Sequence, residues 1–489
     1  MLIILTLLLP LLGGAAMSFI RFPSGKSRAI YVESIVCATS LMVLSLLITR
    51  TQETLILYHL IDKLPLAFRL DGAACTFAGL VAVLWPIASL YAFEYMKHEE
   101  RENSFLSWYT MSYAATLAVA FSANLFTLYV FYECLTLITL PLVIHKKDVM
   151  SVRAGRKYLL YSITGAALAF VALVVLFFIA GSTDFVLGGV LTADLFASHT
   201  TMIPVAFLLA FIGFGTKAAV FPMHAWLPAA SVAPTPVTAL LHAVAVVNTG
   251  AFAVLRVIYY AFGTEFLAGT WAQAVALILA CVTIVFGSSM AVKEQHLKRR
   301  LAWSTISNLS YMLMGAALMS PAGMVGSLSH MVIHGVTKIT LFYCAGAILV
   351  RTGKEYIQDV RGYAKLMPVT CAAFVVAGMS LVGTPPLAGF VSKYNLLTAA
   401  GDAGVLGVIA IAALIASAIL TAIYLFTVIG PMYFRPLNAD MAHYQGVNRD
   451  PNWMMLLPFG LLIALVIGLG LWGSPLVSFL KDVAAGVTF

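Results

Sequence analysis

The sequence predicts an all-α membrane protein of fourteen transmembrane helices, two of them broken and related as an inverted duplicate. Three observations carry that expectation. Hydrophobic residues make up 62% of the 489-residue chain and charged residues only 10%, against about 25% charged in soluble proteins. Apolar runs recur from end to end with no soluble block of domain size. Basic residues, finally, alternate between connections in step with those runs.

A span needs about 20 mostly apolar residues to cross roughly 30 Å of hydrocarbon. Applied in order, that rule gives windows at 2–20, 29–49, 73–93, 105–122, 124–144, 158–180, 202–222, 236–260, 267–291, 301–319, 323–350, 367–398, 404–432 and 454–480. The first window has no basic stretch ahead of its apolar run, so it reads as a span and not as a secretion signal. Ser122-Ala123-Asn124 divides the fourth window from the fifth, and Ser320-Pro321-Ala322-Gly323 the tenth from the eleventh. Twenty of the 28 basic residues fall in odd-numbered connections. Lys146, Lys147, Arg153, Arg156 and Lys157 follow the fifth window, and Lys293, Lys298, Arg299 and Arg300 the ninth. The even-numbered connections and the tail hold Arg50, Lys63, Arg69, Arg256 and Lys481. Under the positive-inside rule the odd connections are cytoplasmic and both termini lie outside. The net charge of +8 is therefore topological and does not indicate nucleic acid. Six cysteines are scattered without CxxC spacing, as packing residues rather than a disulfide framework or cluster site.

Within the spans stand Glu133, Lys217, His242, His330, His334, Lys338 and Lys393. A lysine at a bilayer centre is unfavourable by about 2.5–3.5 kcal/mol, so such groups face protein or water. A structural ion pair, a hydrogen-bonded core histidine or a snorkelling lysine would explain any one of them. Seven in five spans favour a polar pathway, since burial brings these residue types into range of proton exchange near neutral pH. His330, His334 and Lys338 stand at i, i+4 and i+8, a ladder on one helix face. It is not a metal site: His330-Met331-Val332-Ile333-His334 lacks the glutamate of HExxH, and lysine is a poor ligand.

Two of these lysines lie at predicted helix breaks. Lys217 stands in Gly213-Phe214-Gly215-Thr216-Lys217-Ala218-Ala219-Val220-Phe221-Pro222, and Lys393 follows Gly383-Thr384-Pro385-Pro386-Leu387-Ala388-Gly389-Phe390. Glycine and proline at such spacing interrupt a helix, and freed backbone groups are tolerated in a bilayer only beside protein or water. The broken spans are five apart, an odd number, so duplicated units would be inverted. His242, early in the eighth span, reads either as a core histidine or as a relay between the lysines.

These residues resemble the proton-translocating antiporter-like family. The resemblance rests on Gly215-Thr216-Lys217, Pro222-Met223-His224-Ala225-Trp226-Leu227-Pro228, Pro234-Thr235-Pro236-Val237-Thr238-Ala239-Leu240-Leu241-His242-Ala243, Lys298-Arg299-Arg300-Leu301-Ala302-Trp303-Ser304, the histidine ladder and Gly389-Phe390-Val391-Ser392-Lys393. It covers positions 60 to 430. The family comprises large membrane subunits of respiratory complex I, Mrp-type cation/proton antiporter subunits and membrane-bound hydrogenase subunits, and the ladder looks most like the subunit 5 or large Mrp type. The resemblance implies fourteen core helices, with an N-terminal three-helix segment at 1–104, inverted five-helix repeats at 105–260 and 261–432, and a C-terminal helix at 433–489. It implies proton transfer along Glu133, Lys217, Lys338 and Lys393, with His242, His330 and His334 linking the half-channels and Glu133 tuning Lys217. Two departures stand out. Val247-Asn248-Thr249 occupies the place where some relatives carry a lysine, and the chain ends at Phe489 without the lateral helix or extra domain of the largest relatives.

No catalytic site, cofactor or metal is expected, because the chain has no GxGxxG after a strand, no clustered cysteines and no CxxCH. The energy source then belongs to partners: small multi-span subunits, other antiporter-like subunits, and in a redox-driven complex an iron–sulfur module. The cargo is protons, with Na⁺ or K⁺ as the exchanged ion in an Mrp-type antiporter, and the location a bacterial or archaeal cytoplasmic membrane. A stand-alone solute transporter using the broken helices as its binding site is the competing expectation.

Overall fold

The computed structural model describes residues 2–49, 53–61, 63–438, 441, 444 and 446–487; Arg50 and Phe489, used in the sequence argument, lie outside the described residues. The helices are α1 (Leu2–Ala16), α2 (Gly25–Thr49), α3 (Gly72–Met96), α4 (Glu102–Phe121), α5 (Leu125–Val143), α6 (Val149–Ala180), α7 (Ala193–Ser198), α8 (Met202–Gly215) and α9 (Trp226–Ala229). They continue with α10 (Thr235–Phe262), α11 (Trp271–Lys293), α12 (Leu297–Ala317), α13 (Pro321–Thr352), α14 (Pro368–Val382), α15 (Ala388–Gly401), α16 (Gly404–Phe434), α17 (Trp453–Leu471) and α18 (Ser474–Ala484).

Among the described residues nine helices are long and apolar enough to cross a membrane: α2, α3, α5, α6, α10, α11, α13, α16 and α17. The chain is thus an integral membrane protein. The other five predicted windows also contain helices. Of these, α1, α8 and α14 are apolar but short, while α4 and α12 are interspersed with serine, threonine and tyrosine.

Helix boundaries follow from capping chemistry. Asn124 accepts from the Thr127 N–H at 2.7 Å and starts α5, and Ser320 accepts from the Gly323 N–H at 3.0 Å ahead of Pro321 to start α13. Each satisfies one of the orphan donors of a helix N-terminus. Gly181 and Gly353, with φ of 67° and 69°, close α6 and α13 in the left-handed region where a Cβ is unfavourable.

The all-α expectation needs one correction. Between α2 and α3 the chain forms an antiparallel hairpin of β1 (Leu55–Ile61) and β2 (Leu64–Phe68). These runs are too short to span, and Ile56, Tyr58, Ile61 and Phe68 are of the types that suit a pleated surface. Hairpin pairing meets their backbone groups locally.

α13 runs through the centre, packed by α3, α10, α12, α14, α15, α17 and α18. It and α10 are almost wholly buried, whereas α6, α16 and α17 keep exposed apolar faces. Two of the most buried helices therefore carry the histidines His242, His330 and His334.

Candidate functional site

Both predicted helix breaks are present. α8 meets α6 through glycines: a Cβ on Gly213 would lie 2.6 Å from the Ala169 nitrogen, and one on Gly165 would lie 2.8 Å from the Gly213 oxygen. α8 then ends at Gly215, and Ala219 turns the chain at φ 57°. The groups released by the break find partners, since the Phe221 N–H donates to Thr283 Oγ1 at 3.0 Å and Trp226 Nε1 to the Thr216 oxygen at 2.9 Å. Lys217 stands on this broken turn, fully buried. Its ammonium donates to the backbone oxygen of Tyr132 on α5. Glu133, the next residue, is half-buried, and its Oε1 has no hydrogen-bond partner among the described residues.

The second break separates α14 from α15. Gly383 closes α14 at φ 98°, and α15 returns so closely that any Cβ on Gly389 would collide with the Ser380 carbonyl. Lys393 reaches back across the break and donates to the Leu381 and Val382 oxygens at 2.8 and 2.9 Å. These are terminal carbonyls of α14, the negative end of its dipole. Lys393 is half-buried, not sealed like Lys217.

The rungs of the ladder on α13 do not share one neighbour. A step of four residues overshoots one helical turn by about 40°, so each rung looks at a different neighbour. His330 Nδ1 pairs with Ser392 Oγ on α15 at 2.9 Å. His334 Nε2 pairs with the His242 backbone oxygen on α10 at 3.2 Å. Lys338 donates to Ser304 Oγ and, at 3.4 Å, to the Leu301 oxygen on α12. The His330 and His334 rings are 6.1 Å apart. The structure thus brings His242, His330, His334 and Lys338 together on α13 and α10. Each lysine at a break is held by its own carbonyls.

His242 sits on a π-helical turn, Leu240–Val244, and neither ring nitrogen has a partner among the described residues. Asn248 Nδ2 donates to the Ala243 oxygen at 2.8 Å, five residues back. That bond suits the widened turn, a feature frequent at functional sites.

Sequence reasoning missed the setting of four charged residues. Arg256 belongs inside α10, not in a connection: it is fully buried and pairs with Asp71 at the start of α3. Its signal was its position within the eighth apolar window. Glu33, a lone acid in the second window, accepts from Ser89 Oγ at 2.5 Å on α3. Lys298 and Arg300, read as loop charges, are buried as well. Lys298 lies 3.7 Å from Glu355, which also lies 3.3 Å from His296. The hydrogen bond from His296, with the nearby Lys298 charge, lowers the Glu355 carboxyl to about 2. Among the described residues no group of three or more His, Cys, Asp or Glu side chains converges as a metal site would require.

Comparison with known proteins adds the following. Residues 122–421 match the family described as NADH:quinone oxidoreductase/Mrp antiporter, transmembrane. NADH-quinone oxidoreductase subunit N of Desulforudis audaxviator is 32% identical over 412 residues, covering 82% of this chain and 80% of that protein. One probable K⁺/H⁺ antiporter subunit, from Rhizobium meliloti, is 31% identical over 85% of this chain, which spans only 42% of that longer protein. Among solved structures, a chain of the membrane-bound sulfane sulfur reductase, an archaeal respiratory membrane complex, superposes with a TM-score of 0.85 at 21% identity. It covers 99% of this chain and 97% of its own.

Proposed function

The chain belongs to the NADH:quinone oxidoreductase/Mrp antiporter transmembrane family, and we propose that it is a proton-translocating subunit of a multi-subunit membrane complex. One observation carries the reading: two lysines at helix breaks, Lys217 on a backbone carbonyl of α5 and Lys393 on the terminal carbonyls of α14, accompany a buried histidine–lysine hub on the central helix. Insulated charge of this kind is expensive in a bilayer. A transfer path accounts for all seven groups at once.

In this reading the chain has fourteen spans, with an N-terminal segment at 1–104, inverted repeats at 105–260 and 261–432 and a C-terminal helix at 433–489. The packing of α6 on α8, matched five spans later by α13 on α15, supports the repeat. Both termini face outward, and the membrane is a bacterial or archaeal cytoplasmic one. A change of charge at Glu133 alters the proton affinity of Lys217, since the two charges act on each other. The proton passes by His242 and His334 to Lys338, then by His330 and Ser392 toward Lys393. Partner subunits supply the driving force, either from an iron–sulfur redox module or through exchange for Na⁺.

The test is proton pumping by the intact complex in inverted membrane vesicles. Lys217→Ala and Lys393→Ala should each slow it by about a hundredfold or more, the lower end for loss of a proton-transfer group. Unchanged pumping with normal assembly overturns the proposal.

A further inference from the structure

The two lysines share a setting that their charges do not explain. Lys217 Nζ lies 3.4 Å from the ring centroid of Tyr132, and Lys393 Nζ lies 5.3 Å from that of Tyr311. Both fall within the roughly 6 Å over which a ring face attracts a cation. Both tyrosines are fully buried, and both stand two spans ahead of their lysine.

Each ring is held by its hydroxyl. Tyr132 Oη donates to the Phe214 oxygen at 2.9 Å, three residues before Lys217, and the two rings meet edge to face at 86°. Tyr311 Oη donates to Ser417 Oγ at 2.7 Å. Ser417 Oγ is 2.6 Å from Ser288 Oγ and 3.0 Å from Ser307 Oγ, and those two are 2.7 Å apart. A hydroxyl has one proton to donate and two lone pairs to accept with. Four hydroxyls and four hydrogen bonds close the account: Tyr311 donates into the ring, and the serines donate around it in one sense. A helical serine ordinarily bonds a carbonyl of its own helix. These three, from α11, α12 and α16, bond one another instead. The triangle fixes the Tyr311 ring from the far side.

We propose that Tyr132 and Tyr311 are positioning residues that hold the ammonium of Lys217 and of Lys393 between an anchored ring face and a backbone carbonyl. This rests on the reading of those lysines as proton carriers. The neighbouring residues then separate the two sites. Tyr132 is followed by Glu133, whose charge can change. Tyr311 is followed by Met312, and Lys393 answers instead to the fixed dipole at the end of α14. One site is switchable and the other is constant.

Around Lys217 the titratable neighbours are Glu133, Cys134 and Tyr132 on α5 and Tyr158 on α6. α10 adds His242 and Arg256, the latter bound to Asp71, and the charges of α6 and α11 lie at their loop ends. Around Lys393 stand Tyr311 on α12 and His330 and Lys338 on α13. α14, α16 and α17 contain no charged residue.

The experiment is the pH dependence of pumping by the whole complex in vesicles. Tyr132→Leu and Tyr311→Leu should each move the alkaline limb to lower pH by about one unit, the scale of a desolvated cation–π contact. Tyr132→Phe and Tyr311→Phe keep the face and should restore most of that shift. Ser417→Ala should fall between, for Tyr311 only. If a leucine chain does not assemble, fluorinated phenylalanines at the same position weaken the face at constant shape, and the shift must grow with fluorination. An unmoved pH profile, or Phe as damaging as Leu with no fluorine dependence, overturns the proposal. Lys217→Ala and Lys393→Ala run in parallel: pumping that survives them defeats the proton-carrier reading itself, whereas their loss of pumping beside inert tyrosine variants defeats only the positioning role.

Discussion

Asp71 and Arg256 join the start of α3 to the end of α10, and cutting that bond from either side should not be equivalent. The guanidinium makes two 2.6 Å bonds to the carboxylate, with the faces of Tyr260, Phe252 and Phe185 at 4.5, 5.0 and 5.1 Å. The Arg256 side chain is 0% exposed and that of Asp71 is 22% exposed. Asp71→Asn therefore leaves a sealed charge with no counter-ion, which costs about 3–5 kcal/mol. Arg256→Met leaves a carboxylate that still accepts from the Ala74 N–H at 2.9 Å. That carboxylate sits at a favourable helix N-terminus and keeps some water, so the loss should be about 1–2 kcal/mol. The double variant, with neither charge, should be more stable than Asp71→Asn alone. Thermal inactivation of the complex in lipid nanodiscs ranks the three. A ranking in which Arg256→Met is the worse single change, or the double variant the worst of all, refutes the reasoning.

Two further outcomes follow from the same geometry. Ser392→Ala leaves His330 Nδ1 without its 2.9 Å partner, a loss of about 1–3 kcal/mol for a buried polar group; pumping should slow in Ser392→Ala and recover in Ser392→Thr, and equal rates in all three chains would count against the His330–Ser392 step. Glu355, lowered from 4.5 to about 2 chiefly by its hydrogen bond from His296, stabilises this loop tether fully above about pH 4.5, and that contribution fades as pH falls toward 2. Its side chain is 35% exposed, so after solvent screening Glu355→Gln should remove only about 1 kcal/mol at neutral pH; hydrogen exchange in the first turn of α12 should then lose its acid dependence over that window, and an unchanged dependence would rule the tether out.

The breaks at Gly215 and Gly383 were legible because glycine and proline act locally, and a lysine in an apolar run is conspicuous wherever it falls. What escaped was long-range. Arg256 looked like a loop charge because its partner lies 185 residues away. Tyr132, Tyr311 and the three serines carry no sequence signal, since hydroxyls in apolar helices ordinarily satisfy themselves. The hairpin at 55–68 was hidden for a different reason. In a chain this apolar, a short hydrophobic run reads as the edge of a span.

The ladder shows what periodicity alone leaves open, namely which neighbour each rung meets. Spacing of four puts His330, His334 and Lys338 on one face. The residual rotation turns that face past α15, α10 and α12 in succession, which makes α13 a junction. A junction suits a carrier that must accept charge from one half and release it to another, because each rung can be set by a different helix. It also leaves His242 Nδ1 and Nε2, His334 Nδ1 and His330 Nε2 without partners among the described residues. An unpaired buried polar atom costs about 1–3 kcal/mol. Nitrogens left open in this way can exchange a proton with a neighbouring ring or an intervening water, as the proposed path requires.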